Sequence, residues 1–228
     1  MHCDTISEIW ESRKQCSSPQ QLSRNDLQVD IQKMRQSGYM LQNFAMYVDL
    51  KKGLAPFAYV LELIDVFYEE MEKNKNDISV IKAYDEILLN EQQGKMSALM
   101  TIEEGGCCRG EIENLEKLYQ LGARMMTLTW NYPNELACPN LFVRDEQSGR
   151  AVRDADGFCL FDGSKGLTEK GFLFIERMEE LGIIIDVSHL SDAGFWDIAR
   201  NTTRPFVASH SNARALCGHC RNLTDDMI

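Results

Sequence analysis

Four histidines occur in the 228 residues, and three of them stand where an ion could be held. His2-Cys3-Asp4 is an HxD. Alternate residues of an extended strand face one side, so this imidazole and carboxylate could grip a single ion together. The bland alternative is two solvated residues. The run Ile183-Ile184-Ile185-Asp186-Val187-Ser188-His189 puts a second histidine where apolar residues give out, and Phe206-Val207-Ala208-Ser209-His210 repeats the design. Histidines at the C-terminal ends of successive parallel strands converge on one mouth and could share a metal; hydrogen-bonded core histidines are the alternative. Thr101-Ile102-Glu103-Glu104-Gly105-Gly106 supplies carboxylates at a third strand end, with glycines that let the backbone turn sharply. A carboxylate there could bridge two cations about 3.5 Å apart, or could simply face water in an acidic turn. Together His2, Asp4, one of Glu103 or Glu104, His189 and His210 form a nitrogen-and-carboxylate set. It lacks thiolate and suits a catalytic zinc pair with positions open to water and substrate.

Such ligands need strand ends to hold them. Short apolar runs at Tyr39–Val48, Ser97–Ile102, Met125–Thr129, Ile183–Val187 and Pro205–Ala208 have the density of buried parallel strands. Helical patterns fall between them. Ala58–Glu72 carries Leu61, Leu63, Ile64, Phe67 and Tyr68 on one side, and Arg109–Leu121 stops at Gly122. Thr168–Leu181 stops at Gly182, and Ser191–Arg200 has Ser191 as N-cap. Alternating strand and helix predicts a parallel α/β sheet. No GxGxxG or GxxxxGK[ST] follows any strand, which disfavours a nucleotide-binding version and leaves a barrel. Asn131–Lys165 reads as a long loop after a strand, the place where barrels keep their active sites.

Composition sets wider bounds. Hydrophobic residues make up 44% and charged residues 26%, ordinary for one globular domain, here residues 1–228. The net charge of −11 offers no basic face for nucleic acid. There is no apolar run of membrane-spanning length. Eight cysteines without a secretory leader suggest a cytoplasmic protein with reduced thiols. Cys217-Gly218-His219-Cys220 is a lone CxxC; with no second pair to complete a zinc ribbon, it reads as ordinary thiols.

The segments HCDT, ALMTIEEGG, LYQLGARMMTLTWN, GLTEKG, DVSHLSD and ASHSNARALCGHCRN resemble, in order, successive blocks of the renal (membrane) dipeptidase family, from His2 to Ile228. The resemblance implies a TIM-type (β/α)8 barrel and a zinc-dependent dipeptidase. In it His2 and Asp4 bind one zinc, His189 and His210 the second, and a glutamate bridges both. Glu103 is the preferred bridge, since it keeps the spacing to Leu118-Tyr119-Gln120-Leu121-Gly122 without a gap; Glu104 is the fallback. Arg221 matches the arginine that holds the substrate carboxylate, a role suited to its bidentate fork. A hydroxide held between the zinc ions would attack the peptide carbonyl. Broad dipeptide specificity, often with a C-terminal D-residue, and a homodimer are implied as well.

Three departures bear on this. Where renal dipeptidase has a histidine after the TLT run, this chain has Trp130 followed by Asn131. Trp130 offers an N–H donor or a pocket wall, not a charged imidazole. The sequence stops before the family's last two strands, one of which carries an aspartate near the metals, and only Met1 precedes the HxD. The expectation is therefore an incomplete barrel, weakly active or inactive. The rivals are another barrel amidohydrolase, acting on lactones, phosphotriesters or nucleosides, and a non-catalytic fragment. The former usually carry HxH, not HxD, on the first strand.

Overall fold

Met96–Glu103 (β4) is apolar on both faces apart from Ser97, Thr101 and the final carboxylate, and almost every residue in it is buried. That is the pattern of a parallel strand covered on two sides, and the fold built on it is α/β. The structure, a computed structural model, describes residues 2–15, 17–155 and 157–228. Cys16, one of the cysteines expected to be a reduced thiol, lies outside the described residues. The chain divides into two units, 1–103 with 113–126 and 104–112 with 127–228.

In the first unit the chain runs β1 (His2–Cys3), α1 (Thr5–Gln15), α2 (Ile31–Gln36), β2 (Leu41–Tyr47), α3 (Pro56–Lys73), β3 (Ile78–Ile81), α4 (Tyr84–Gln92) and β4. It then returns as α5 (Ile112–Leu121) and the start of β5 (Met125–Thr127). β2 pairs in parallel with β1 through His2↔Asn43 and with β4 from Leu41↔Ser97 to Tyr47↔Glu103. β3 pairs in parallel with the first half of β4, from Ile78↔Met96 to Ile81↔Leu99. α3 packs Val60, Leu63, Ile64 and Phe67 inward, and Phe67 meets Phe44 of β2 with ring centroids 5.9 Å apart. The buried Glu70 on the same helix accepts from Arg13 (2.8 Å), Lys73 (2.7 Å) and the Leu22 amide (2.8 Å). Burial would raise its pKa, but these donors outweigh burial and hold it below the usual carboxylate range.

The second unit is less regular. It contains a 3-10 turn (Gly105–Cys108), a short antiparallel pair β6 (Leu141–Phe142) and β7 (Phe161–Asp162), α6 (Glu169–Leu181), β8 (Ile184–Asp186) and α7 (Asp192–Asn201). Thr168 and Ser191 cap the two helices, each side chain accepting from a glycine amide at 3.0 Å. α6 ends at Gly182 in the left-handed region (φ 77), as the glycine stop requires.

The strand and helix runs read from the sequence are present, with corrections at their edges. Pro205–Ala208 makes only a bridge, Asp186↔Val207, bonded on both sides of Val207. The helix expected from Arg109 starts at Ile112, because Arg109 and Gly110 have positive φ. β3, α1, α2 and α4 were not predicted, and the long loop from Asn131 holds the β6–β7 pair. No described cysteine is in a disulfide, and Cys217 is exposed while Cys220 is buried. Among the described residues no helix is long and apolar enough to cross a membrane.

Candidate metal centre

The first unit brings three of the expected ligands together. His2 Nε2 lies 2.9 Å from Glu103 Oε2 and 3.2 Å from Asp4 Oδ1. β2 stands between β1 and β4, and the register puts Asn43, Ala45 and Tyr47 on the face that His2 and Glu103 share. The small Ala45 leaves room for the two side chains to meet across that strand. Burial would lower the His2 pKa, but the hydrogen bonds to Asp4 and Glu103 prevail and push it up to about 9. Asp4 sits at the start of α1, where its carbonyl accepts from the Ser7 amide at 3.0 Å.

In the second unit His189 Nε2 lies 3.0 Å from His210 Nε2. Each ring is held from behind. His189 Nδ1 meets Asn131 Oδ1 at 3.2 Å, and an amide oxygen can only accept, so this nitrogen carries the hydrogen. His210 Nδ1 meets Ser209 Oγ at 2.8 Å, and the Ser209 hydroxyl donates to Asp186 Oδ2, so the serine oxygen accepts from the imidazole. Both Nε2 lone pairs therefore face each other, which is repulsive unless a cation or a proton lies between. Two imidazoles on one tetrahedral zinc, each about 2.0–2.1 Å from it, would have their nitrogens roughly 3.3 Å apart. The spacing and donor chemistry fit a shared ion.

Asp186 is fully buried and is the anchor of this half. It accepts from the amides of Ser188 and Ser209, both at 3.0 Å, and from the hydroxyls of Ser209 and Thr127. This ties the end of β8 to the segment entering His210. His189 itself is held at φ 73, outside the ordinary range for a side-chain-bearing residue.

The remaining expected residues are placed as follows. Trp130 packs edge-on against Tyr132 at 5.6 Å and lies 6.3 Å from the His189 ring, as a wall to the histidine pair. Glu104 is buried at φ 91, and its carboxylate faces the loop after β5. It accepts from the Gly106 amide (2.8 Å), the Trp130 amide (2.9 Å) and the Asn134 side chain. Burial raises its pKa to about 7 against these donors. Arg221 is half-buried after His210, its amide bonded to His219 Nδ1 at 3.1 Å. Arg214 is committed to a two-point ion pair with Asp192, both contacts 2.7 Å. Sequence reasoning did not find Asp186, Ser209 or Asn134. The first two stand beside the histidines in DVSH and ASH, but their partnership is between segments distant in sequence.

Residues 1–228 match the membrane dipeptidase family (peptidase family M19) throughout. An uncharacterized protein in the pqqA 5′ region of Klebsiella pneumoniae is 35% identical over 142 residues, covering 60% of this chain and 46% of its own. A metallo peptidase from Rhodobacter sphaeroides, solved with a phosphinate mimic of the dipeptide L-Ala-D-Ala, superposes with a TM-score of 0.81 at 21% identity over 99% of this chain and 68% of its own. The dipeptidase AC, a metallo peptidase of family M19, gives 0.80 at 22% over 99% and 66%. The chain thus spans less than half of the Klebsiella relative and about two thirds of these solved structures. On the match along its whole length, the chain belongs to the membrane dipeptidase family.

Proposed function

We propose that this chain supplies the metal-binding part of a zinc-dependent dipeptidase. The observation that carries the reading is the pair of imidazole nitrogens, 3.0 Å apart, whose lone pairs are turned toward each other by Asn131 and Ser209. A structural histidine pair would be expected to donate one N–H to the other. Here both N–H groups are used elsewhere, the arrangement that metal-ligating histidines adopt with their outer partners. Family membership and the His2, Asp4 and Glu103 cluster support a second ion. In that reading His2 and Asp4, with Glu103 beside them, would hold one zinc, and His189 and His210 the other. Glu103 is preferred over Glu104 because its carboxylate lies beside His2, whereas that of Glu104 is occupied by three N–H donors.

Bound there, divalent metals lower the pKa of water and polarise a carbonyl oxygen. The chain's own residues do the rest. Asn131 and the Ser209–Asp186 pair fix the imidazole orientation, and Trp130 walls the site. Arg221, at the position the family resemblance assigns to this role, would receive the free C-terminal carboxylate of a short substrate through its bidentate fork. The family match also supports reading residues 1–228 as part of one (β/α) barrel domain; the homodimer is what the family resemblance implies, and the described cysteines, none in a disulfide, suit a cytoplasmic location.

The test is a substrate panel on the full-length protein carrying this chain. It should hydrolyse dipeptides, L,D as well as L,L, when zinc is present, and lose turnover on chelation. Hydrolysis of lactones, phosphotriesters or nucleosides instead of dipeptides would replace this reading with the other barrel hydrolases.

A further inference from the structure

Glu104 is the residue that the reaction so far leaves unused, and it is placed expensively. Its carboxylate is fully buried without a cationic partner among the contacts above, and its backbone lies at φ 91, a region that glycine adopts readily and other residues seldom do. Such outliers persist only where the surroundings over-determine them, and they gather at functional sites. What surrounds Glu104 is the loop after β5. Oε2 accepts from the Trp130 amide at 2.9 Å, and Oε1 accepts from the Gly106 amide and the Asn134 side chain. Asn134 in turn donates to the Leu128 carbonyl at 2.8 Å and accepts from the amides of Leu136 and Ala137 at 2.7 and 3.0 Å. The loop is therefore wound around one carboxylate and one amide. Gly106 is part of the fit, because a Cβ there would stand 2.6 Å from Glu104 Oε1 and 2.9 Å from Asn134.

The residues hung from this hub are those that touch His189. Trp130, whose amide Glu104 holds, lies against the His189 ring, and the next residue, Asn131, accepts from His189 Nδ1. We propose that Glu104 is a positioning residue: by gripping the Trp130 amide and the Asn134 side chain it sets the place of Asn131, and through Asn131 the orientation of His189. This rests on the reading of His189 as a metal ligand. It does not make Glu104 a ligand or a proton carrier.

The experiment uses the full-length protein labelled with 5-fluorotryptophan. The Trp130, Trp10 and Trp196 lines are each assigned by substitution to Phe, and the Trp10 and Trp196 lines serve as controls. Glu104→Gly removes the carboxylate and relieves the backbone. Glu104→Gln keeps the shape and one acceptor oxygen. In Glu104→Gly the Trp130 line should move or broaden while the other two stay. Zinc affinity or kcat on a dipeptide should fall about 10- to 100-fold, the usual effect of losing an outer partner of a metal ligand, with KM changed less than kcat. Glu104→Gln should recover part of both effects. An unmoved Trp130 line with wild-type kcat and zinc affinity in Glu104→Gly would overturn the proposal, as would a change confined to KM. If all three lines shift in Glu104→Gly, Glu104→Gln decides: the Trp130 line alone must move, and an unmoved line overturns the idea. A wild-type protein that turns over no dipeptide sinks the functional reading, but the Trp130 line and zinc affinity still judge Glu104.

Discussion

The two units hold their expected ligands by different means. In the first, Glu103 ends a parallel ladder whose register is continuous from Leu41↔Ser97 to Tyr47↔Glu103, and His2 joins the same central strand through His2↔Asn43 and Cys3↔Phe44, so backbone pairing fixes where they stand. In the second, β8 has three residues and its partner segment only a bridge at Val207. There, side chains reinforce a short ladder. Asp186 gathers the backbone on both sides of the histidine pair, Ser209 and Asn131 set the rings, and Glu104 with Asn134 shapes the loop. Strand ends built on long ladders tolerate a good deal of change beneath them. Ends built on buried polar networks do not, because each member left unpaired costs its full desolvation.

The largest effect should come from the histidine pair. His189→Ala or His210→Ala removes a ligand, and a metal contributes several kcal/mol to the transition state, so dipeptide turnover should fall on the order of a thousandfold or more. Circular dichroism should remain native. A loss below tenfold would break the reading of this pair as ligands.

Next is Glu70, the buried carboxylate of the first unit. Glu70→Ala should cost about 2–3 kcal/mol by urea denaturation at pH 7, from the lost charged hydrogen bonds. Because its folded pKa is depressed, its stabilisation is present above the ordinary glutamate value, near 4.3, and is lost as pH falls through the lower folded value. The gap between the wild type and Glu70→Gln should therefore narrow as the pH is taken below about 4. A gap independent of pH would show that the ion pairs contribute nothing.

Asp186→Asn probes the polar network. It replaces an acceptor by an amide beside Ser209, and should lower zinc affinity about 10- to 100-fold with loss of kcat. The same measurement on Tyr68→Phe, in the first unit, should show no change in zinc affinity. That variant loses only the 2.6 Å bond to the Leu121 carbonyl and about 1 kcal/mol of stability. If Asp186→Asn were as silent as Tyr68→Phe, the contrast between the units would fail.

The contrast also explains what could be read in advance. His189 and His210 are visible because an apolar run stops at each, and β2, β4 and α3 are long enough for period and burial to speak. Ile78–Ile81 is four residues between polar stretches, and α4 buries only Asn90 while Leu88 and Leu89 stay exposed, so neither carries a period. α1 is marked only by Ile6, Ile9 and Trp10 among polar and charged residues. β6 and β7 are two residues each. The difference between Glu103 and Glu104 is invisible to composition, since both follow the same apolar run. It is made by a backbone turn to φ 91 and by donors that lie 26 and 30 residues further along.

The most direct measurement is a calorimetric titration of zinc into the metal-stripped full-length protein and its His210→Ala variant. Two equivalents in the wild type and one in the variant are expected. Absence of binding in the wild type, or an unchanged stoichiometry and affinity in the variant, would mean that the facing imidazoles of His189 and His210 do not share an ion.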